Sequence, residues 1–225
     1  MKNPYVQLMD TGNLVVKDRK TGNLENLLWQ SFDHPCDTLL PGVKLGRSFK
    51  TGKDRYLSSW KSPEDPAPGQ FSLWIDPTGF PQLVLRQESV MLYRAGSWNG
   101  QGFTGSPART PNVSLCNFQF VMNETEVSYE CDTNGALVSR LWVDQSGGVV
   151  RYIRSQVEPG RWVSAIYAPV DQCDIYSTCG ANGRCLVNRS SGCVCLKGFA
   201  TQSLKDWSVA KSTKDCIRET QLNCT

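Results

Sequence analysis

Leu73-Trp74-Ile75-Asp76-Pro77-Thr78-Gly79 recurs as Leu141-Trp142-Val143-Asp144-Gln145-Ser146-Gly147, with a shorter cousin at Leu8-Met9-Asp10-Thr11-Gly12-Asn13-Leu14-Val15-Val16. Each copy reads as a strand, an Asp-x-(x)-Gly turn and a β-branched strand. The aspartate accepts hydrogen bonds from its own turn, and the glycine supplies a positive φ. Such a hairpin cannot bury its apolar face alone, so repetition implies sheets gathered around a shared core. Short alternating runs broken by Gly, Pro, Asn and Asp continue the pattern at Tyr5–Lys17, Phe71–Asp76, Pro81–Arg86, Phe118–Met122 and Val127–Cys131, and helical periodicity is hard to find. The expected fold class is all-β.

Beyond this region the chain changes character. Cys173, Cys179, Cys185, Cys193, Cys195 and Cys216 are interleaved with Gly180, Gly183, Gly192 and Gly198. A stretch so poor in apolar side chains holds a shape only through cross-links. Zinc is the other use of clustered cysteines, but it favours C-x2-4-C pairs or added histidines. No C-x-x-C is present, and the single histidine, His34, stands far upstream. Disulfides are therefore expected, which places the chain in an oxidising compartment. Four N-glycosylation sequons, at Asn112, Asn123, Asn188 and Asn223, agree with that placement.

The 225 residues are 40% hydrophobic and 20% charged, as in ordinary folded proteins. Residues 1–172 carry 17 basic and 17 acidic side chains, so the whole net charge of +3 lies in the cysteine-rich tail. That is too little to argue for nucleic acid. The start, MKNPYVQLMDTG, has no signal-peptide pattern, and no run of 18 apolar residues suggests a span. The chain is expected to be an internal piece of a longer extracellular protein.

Asn112–Asn134 reads as two strands joined near Asn123-Glu124, with Met122 opposite Thr125 and Val121 opposite Glu126. That register sets Cys116 against Cys131 with Cα atoms roughly 4.5–5.5 Å apart, inside the disulfide window. A bond there would close a loop worth about 3 kcal/mol in the chain-entropy model. The Pro-rich stretch Ser62–Gly69 separates two β regions and is expected to be a connector or an exposed loop, since proline cannot join a central ladder. A second boundary is expected near Ala168-Pro169.

Four motifs resemble those of one family. Leu28-Trp29-Gln30-Ser31-Phe32-Asp33-His34-Pro35-Cys36-Asp37-Thr38-Leu39-Leu40-Pro41-Gly42 is similar to the end of the bulb-type lectin domain of plant S-receptor-like kinases. Gly96-Ser97-Trp98-Asn99-Gly100-Gln101-Gly102-Phe103-Thr104-Gly105 resembles their S-locus glycoprotein signature, S-G-P-W-N-G-x-x-F-S-G, with Ser97 where proline usually stands. Asp171–Gly180 and Cys195–Phe199 resemble their EGF-like module, and Cys216–Cys224 the opening of a PAN/apple domain.

The resemblance implies lectin-like (β-prism type) sheets followed by a small disulfide-rich module. Residues 1–45 would be the end of a bulb-type lectin domain and 46–168 an S-locus glycoprotein domain built as a second lectin-like unit. Residues 169–217 would be the EGF-like module and 218–225 the start of a PAN/apple domain. It also implies the pairs Cys173–Cys185, Cys179–Cys193 and Cys195–Cys216, with Cys224 unpaired inside this chain. Residues 1–45, as the last strands of a lectin domain, are expected to be the least stable region.

The function implied is that of a receptor-kinase ectodomain acting in pollen recognition or immune perception, at the cell surface. Its partners would be a peptide, protein or glycan ligand and a second receptor chain, with membrane attachment only through other parts of the protein. The other function weighed is a secreted mannose-type lectin. Phosphotransfer is excluded, because the chain has no glycine-rich loop and no H-R-D or D-F-G segment. The bulb-lectin sugar motif Q-x-D-x-N-x-V-x-Y aligns with Met9, Thr11, Asn13, Val15 and Lys17, of which only Asn13 and Val15 match. The calcium pattern of EGF-like modules finds Asp171 and Gln172 but meets Pro169 at its first position, so no cofactor or metal is expected. His34 reads as a loop residue, Glu64-Asp65 as a solvated pair, and most of the seven tryptophans as core. Trp98 and Asn99, flanked by glycines, are the candidate recognition surface.

Overall fold

The computed structural model describes residues 3–19, 27–105, 117–132, 138–155, 157–187, 192–201 and 215–220. Among these the only helical element is a 3-10 turn, Ser31–Asp33. The strands are β1 (Pro4–Leu8), β2 (Leu14–Asp18), β3 (Leu27–Gln30), β4 (Thr38–Leu39), β5 (Leu45–Ser48), β6 (Asp54–Arg55), β7 (Leu57–Ser62), β8 (Asp65–Asp76), β9 (Gln82–Gln87) and β10 (Val90–Ser97). They continue as β11 (Asn117–Met122), β12 (Glu126–Asp132), β13 (Ser139–Val143), β14 (Val149–Arg154), β15 (Trp162–Ala168), β16 (Gly183–Cys185), β17 (Cys193–Cys195), β18 (Phe199–Thr201) and β19 (Cys216–Arg218). The all-β reading of the sequence is borne out. The chain divides into two compact units, Met1–Ala168 and Pro169–Thr225.

In the first unit, strands β10-β9-β8-β7, β11-β12-β5-β6 and β15-β14-β13-β4 form three antiparallel four-stranded sheets. All three turn one side to a single buried cluster that includes Leu39, Leu45, Leu57, Leu73, Leu85, Tyr93, Val127, Leu141, Val143 and Ala168. The strand alternation follows directly: in β8 and β13 Leu73, Ile75, Leu141 and Val143 point inward, and Trp74 and Trp142 point outward. Trp74 and Trp142 lie opposite Val84 and Val150 on the outer sheet faces, where these valines are only 1% and 5% exposed. No tryptophan among the described residues is fully buried. The expectation that most tryptophans fill the core is therefore corrected, because the two-residue period sends the smaller aliphatics inward.

Asx-turns build the hairpins. Asp144 Oδ1 accepts the Ser146 and Gly148 N–H groups, Gly147 takes φ +85°, and Asp144 N–H donates to Gly148 C=O. The hairpin joining β1 to β2 repeats this backbone, with Met9 N–H donating to Asn13 C=O and Gly12 at φ +86°. Asp76 Oδ1 likewise accepts the Thr78 N–H, and Gly79 takes φ +67°. Here the return strand starts later, with Ile75 opposite Leu83, whereas Val143 faces Val149.

Two local expectations are corrected. Ser62–Gly69 is the tip and start of the β7–β8 hairpin, with Trp60 opposite Pro68 and Ser62 opposite Asp65. Pro66 and Pro68 are tolerated because β9 joins β8 only from Phe71 onward, leaving one side of that stretch without a ladder. Asp65 is thus a strand residue, half-buried and ion-paired with Lys61 at 3.6 Å. The β11–β12 register is shifted by two residues: Met122 faces Val127, Val121 faces Ser128 and Phe118 faces Cys131. The cause is Asn123, whose Oδ1 accepts the N–H groups of Thr125 and Glu126, so the loop is Glu124-Thr125. An even shift leaves each side chain on its expected face.

The expected boundary at residue 45 falls inside the shared core. β4 pairs with β13, β5 with β12, and Leu39, Val43 and Leu45 are at most 3% exposed. The sheet β1-β2-β3 differs. Val6, Leu8, Leu14, Val16 and Trp29 lie on one side of it, and Val6, Leu8 and Trp29 are 64%, 68% and 40% exposed.

Among the described glycines, the one in β5 leaves the least room for a side chain. A Cβ at Gly46, which sits at φ +140°, would fall 1.9 Å from the Val127 carbonyl oxygen. Gly46→Ala should therefore part β5 from β12 and cost about 2–4 kcal/mol through backbone strain and overpacking. Urea unfolding of the two proteins measures it, and an unchanged midpoint would contradict the packing described.

Candidate functional site

The Gly96–Gly105 signature folds into a small hairpin beyond β10. Trp98 bridges Phe103, Asn99 N–H donates to Gly102 C=O, and Thr104 N–H donates to Ser97 C=O. Asn99 Oδ1 accepts the Gln101 and Gly102 N–H groups at 3.0 and 2.9 Å, and Gly100 supplies φ +95°. The base is anchored by Gly105 N–H on Ala95 C=O and by Tyr93 Oη donating to Gly105 C=O at 2.6 Å. A Cβ at Gly96 would lie 2.2 Å from Thr104 Oγ1, which explains the glycine there.

The hairpin lays Trp98 on the core. Its ring stacks on Phe120 at 5.2 Å and meets Phe103 and Tyr129 edge-on at 5.4 and 6.1 Å. The candidate recognition pair thus has local structural roles. The Trp98 ring is half-buried in an aromatic cluster, and the exposed Asn99 spends its carbonyl oxygen on the turn. Flanking glycines left Trp98 bare in the sequence; Phe120, distant along the chain, covers it.

At the positions aligned with the sugar motif, the polar groups serve the protein itself. Asn13 Nδ2 donates to Gln30 Oε1, while its Oδ1 accepts Ser31 Oγ–H and Phe32 N–H, tying the first hairpin to the 3-10 turn. Val15 is 2% exposed, and Lys17 is 9% exposed with Nζ donating to Gln7 Oε1 at 3.1 Å and approaching Met9 Sδ at 3.7 Å. The lysine ammonium stands where the motif has a tyrosine hydroxyl, and it is directed at Gln7 and Met9 of the same sheet region. Thr11 is exposed and accepts the Asn13 N–H.

The second unit is knitted by Cys173–Cys185, Cys179–Cys193 and Cys195–Cys216, with Cα separations of 5.4, 5.5 and 5.6 Å. The sulfurs of Cys179, Cys185 and Cys193 converge within 4.8 Å, but all three belong to disulfides and offer no thiolate to a metal. Asp171 and Asp174 cap backbone: Asp171 Oδ1 accepts Cys173 N–H and Asp174 Oδ2 accepts Val170 N–H. Gln172 packs on Gly192, where an added Cβ would lie 2.5 Å from its Nε2.

Cys131 is buried and disulfide-bonded, and Cys116, its expected partner, lies outside the described residues. In the described ladder β11 sets Phe118 opposite Cys131. Cys36 is free and exposed, with Trp60 Nε1–H directed at its Sγ at 3.2 Å. His34 closes the 3-10 turn and stacks on Trp29 at 5.5 Å. Asn112, Asn188, Asn223, Trp207 and Cys224 lie outside the described residues.

Comparison with known proteins gives two family matches along the chain. Residues 1–61 match the family model of the D-mannose binding lectin, and residues 93–203 that of the S-locus glycoprotein domain. Receptor-like serine/threonine-protein kinase SD1-8 of Arabidopsis thaliana is 40% identical over 100% of this chain and 26% of its own length. G-type lectin S-receptor-like serine/threonine-protein kinase SD1-1 of the same plant is 42% identical, over 87% of the chain and 24% of the relative. S-locus-specific glycoprotein BS29-2 of Brassica oleracea var. alboglabra is 37% identical, over 100% of the chain and 52% of the relative. The chain thus spans about a quarter of these kinases and about half of the glycoprotein.

Proposed function

We propose that this chain, a homologue of the G-type lectin S-receptor-like kinases and S-locus glycoproteins, is an extracellular recognition module that binds a ligand or partner receptor and does no chemistry of its own. The observation that carries the reading is the order of the two family matches, lectin over 1–61 and S-locus glycoprotein over 93–203. The disulfide-knitted unit agrees with an oxidising extracellular setting. In this reading residues 1–45 are lectin-type, 46–168 the S-locus glycoprotein domain, 169–217 an EGF-like module and 218–225 the opening of a PAN/apple domain. The role is pollen recognition or immune perception, and the ligand is a peptide, a protein or a glycan. Pairing with a second receptor chain belongs to the same proposal.

A mannose lectin is the second reading, favoured by the family match over 1–61. Lys17 weighs against it: a site that needs neutral hydroxyl partners holds an ammonium already bonded to Gln7. A glycan array probed with the secreted, oxidised chain separates the two. The expected result is no mannose-competable signal. Binding that mannose elutes, and that Asn13→Ala abolishes without loss of fold, would replace the receptor reading with the lectin one.

A further inference from the structure

We propose that the outward face of β13, β14 and β15 binds an acidic sugar, a glycan carrying a uronic acid carboxylate, with Arg140 as the partner of the anion. The two-residue period lays this face out in rows. Val150 stands between Trp142 and Tyr167, Tyr152 between Arg140 and Ser164, and Trp162 lies opposite Arg154. Trp142, Tyr152 and Trp162 are half-buried, and Tyr167 is exposed. The Arg140 side chain reaches from β13 across β14 to β15, its Cζ 5.4 Å from the centre of the Tyr152 ring and 4.7 Å from that of Trp162. Trp142 is held as well, its Nε1–H donating to Asp37 Oδ2 at 2.8 Å and its ring 6.2 Å from that of Tyr152.

This cation has no carboxylate of its own. Among the described residues the Arg140 side chain makes no ion pair and no hydrogen bond, and its Nε is buried without a partner. Strands β4, β13, β14 and β15 contain no Asp or Glu, and the outward charges on them are Arg140 and Arg154. Asp37 is engaged by Trp142 and Thr38. A guanidinium set between two rings, without a counter-charge, offers its terminal N–H groups to a planar anion at little ordering cost. The rings decide which anion. The C–H groups of a pyranose carry partial positive charge, and the negative face of an aromatic ring attracts them. A uronic acid therefore meets aromatic surface and a guanidinium together. An acidic peptide side chain would satisfy Arg140 and leave the rings unmatched. A neutral sugar would stack and leave the cation unpaired, in keeping with the expected silence toward mannose. None of these residues belongs to the positions aligned with the mannose motif.

The inference rests on the recognition reading and names a ligand class for it. The test titrates the secreted, oxidised chain by calorimetry with a galacturonic acid hexamer, its methyl ester and hexaglutamate. The acid hexamer is expected to bind more tightly than either control. Arg140→Gln should weaken it about 10–100-fold, the range for a hydrogen bond to a charged group. Arg140→Lys, which keeps the charge and loses the planar fork, should fall between the two. The comparison of acid with ester uses the wild-type chain alone, so it decides the matter even if Arg140→Gln fails to fold. The site is overturned if acid and ester bind alike, if hexaglutamate matches the acid hexamer, if Arg140→Gln binds as wild type does, or if nothing binds. Each of these, in a chain secreted with its disulfides formed, leaves the recognition reading standing. A chain kept in cells with reduced cysteines removes that reading and the site with it.

Discussion

Trp98→Ala should lower the unfolding free energy of the Met1–Ala168 unit by about 3 kcal/mol, the lower end of the usual cost of deleting a large buried aromatic. The ring is half-buried, so the transfer loss is partial, but three aromatic partners lose their packing together. Against a total stability of about 5–15 kcal/mol for a domain, that is a large fraction. Asn99→Ala, which removes one acceptor from two exposed N–H groups, should cost about 1 kcal/mol, and Asn99→Asp, which keeps the acceptor, close to nothing. Thermal unfolding followed by far-ultraviolet circular dichroism measures all three. If Trp98→Ala leaves the melting temperature unchanged and removes partner binding instead, the hairpin is a recognition loop and its packing role is wrong.

This contrast marks what the sequence could and could not reveal. Strands and turns are local facts: alternation identified β8, β9, β11 and β12, and the Asp-x-(x)-Gly spacing identified hairpins whose carboxylates do cap the turn. Pairings between distant segments are not local. Nothing in Thr38-Leu39 or Leu45–Ser48 says that these residues complete sheets whose other strands lie near residues 127 and 141. Trp142 Nε1–H reaching Asp37 Oδ2 at 2.8 Å is a bond of the same long-range kind. The hairpin register failed for a smaller reason. Counting strand lengths places a two-residue loop at Asn123-Glu124, but an asparagine that caps its own turn prefers the position before the loop, moving it on by one residue. At the site, the lost sugar pattern was legible in Met9, Thr11 and Lys17, whereas the Lys17–Gln7 bond depends on the β1–β2 pairing. The cover over Trp98 depends on Phe120 and Tyr129 and was invisible.

Reduction of the disulfides should unfold residues 169–217 and leave the sheets of the first unit standing. In the second unit the buried apolar side chains among the described residues are Cys179 and Cys216, so the cystines are themselves the core. What remains is short pairing, β16 with β17 and β18 with β19, and a few contacts such as Asp215 Oδ1 accepting Ala181 N–H. Two-stranded pieces of that size are marginal in water. The three bonds span sequence separations of 12, 14 and 21 residues, and each closed loop of that size is worth about 3 kcal/mol in the chain-entropy model. Among the described residues of the unit no other interaction is large enough to replace them. The first unit also loses the bond at Cys131, yet Leu45, Leu57, Leu85, Val127 and Val143 are fully buried and carry its stability independently. Hydrogen exchange after native-state reduction should show amides of Arg184 and Val194 exchanging freely while those of Leu85 and Leu141 stay protected. Cys179→Ser with Cys193→Ser should do the same to the second unit alone, with Cys131 still oxidised. Continued protection of Arg184 and Val194 in that variant would mean that the unit has a core other than its cystines.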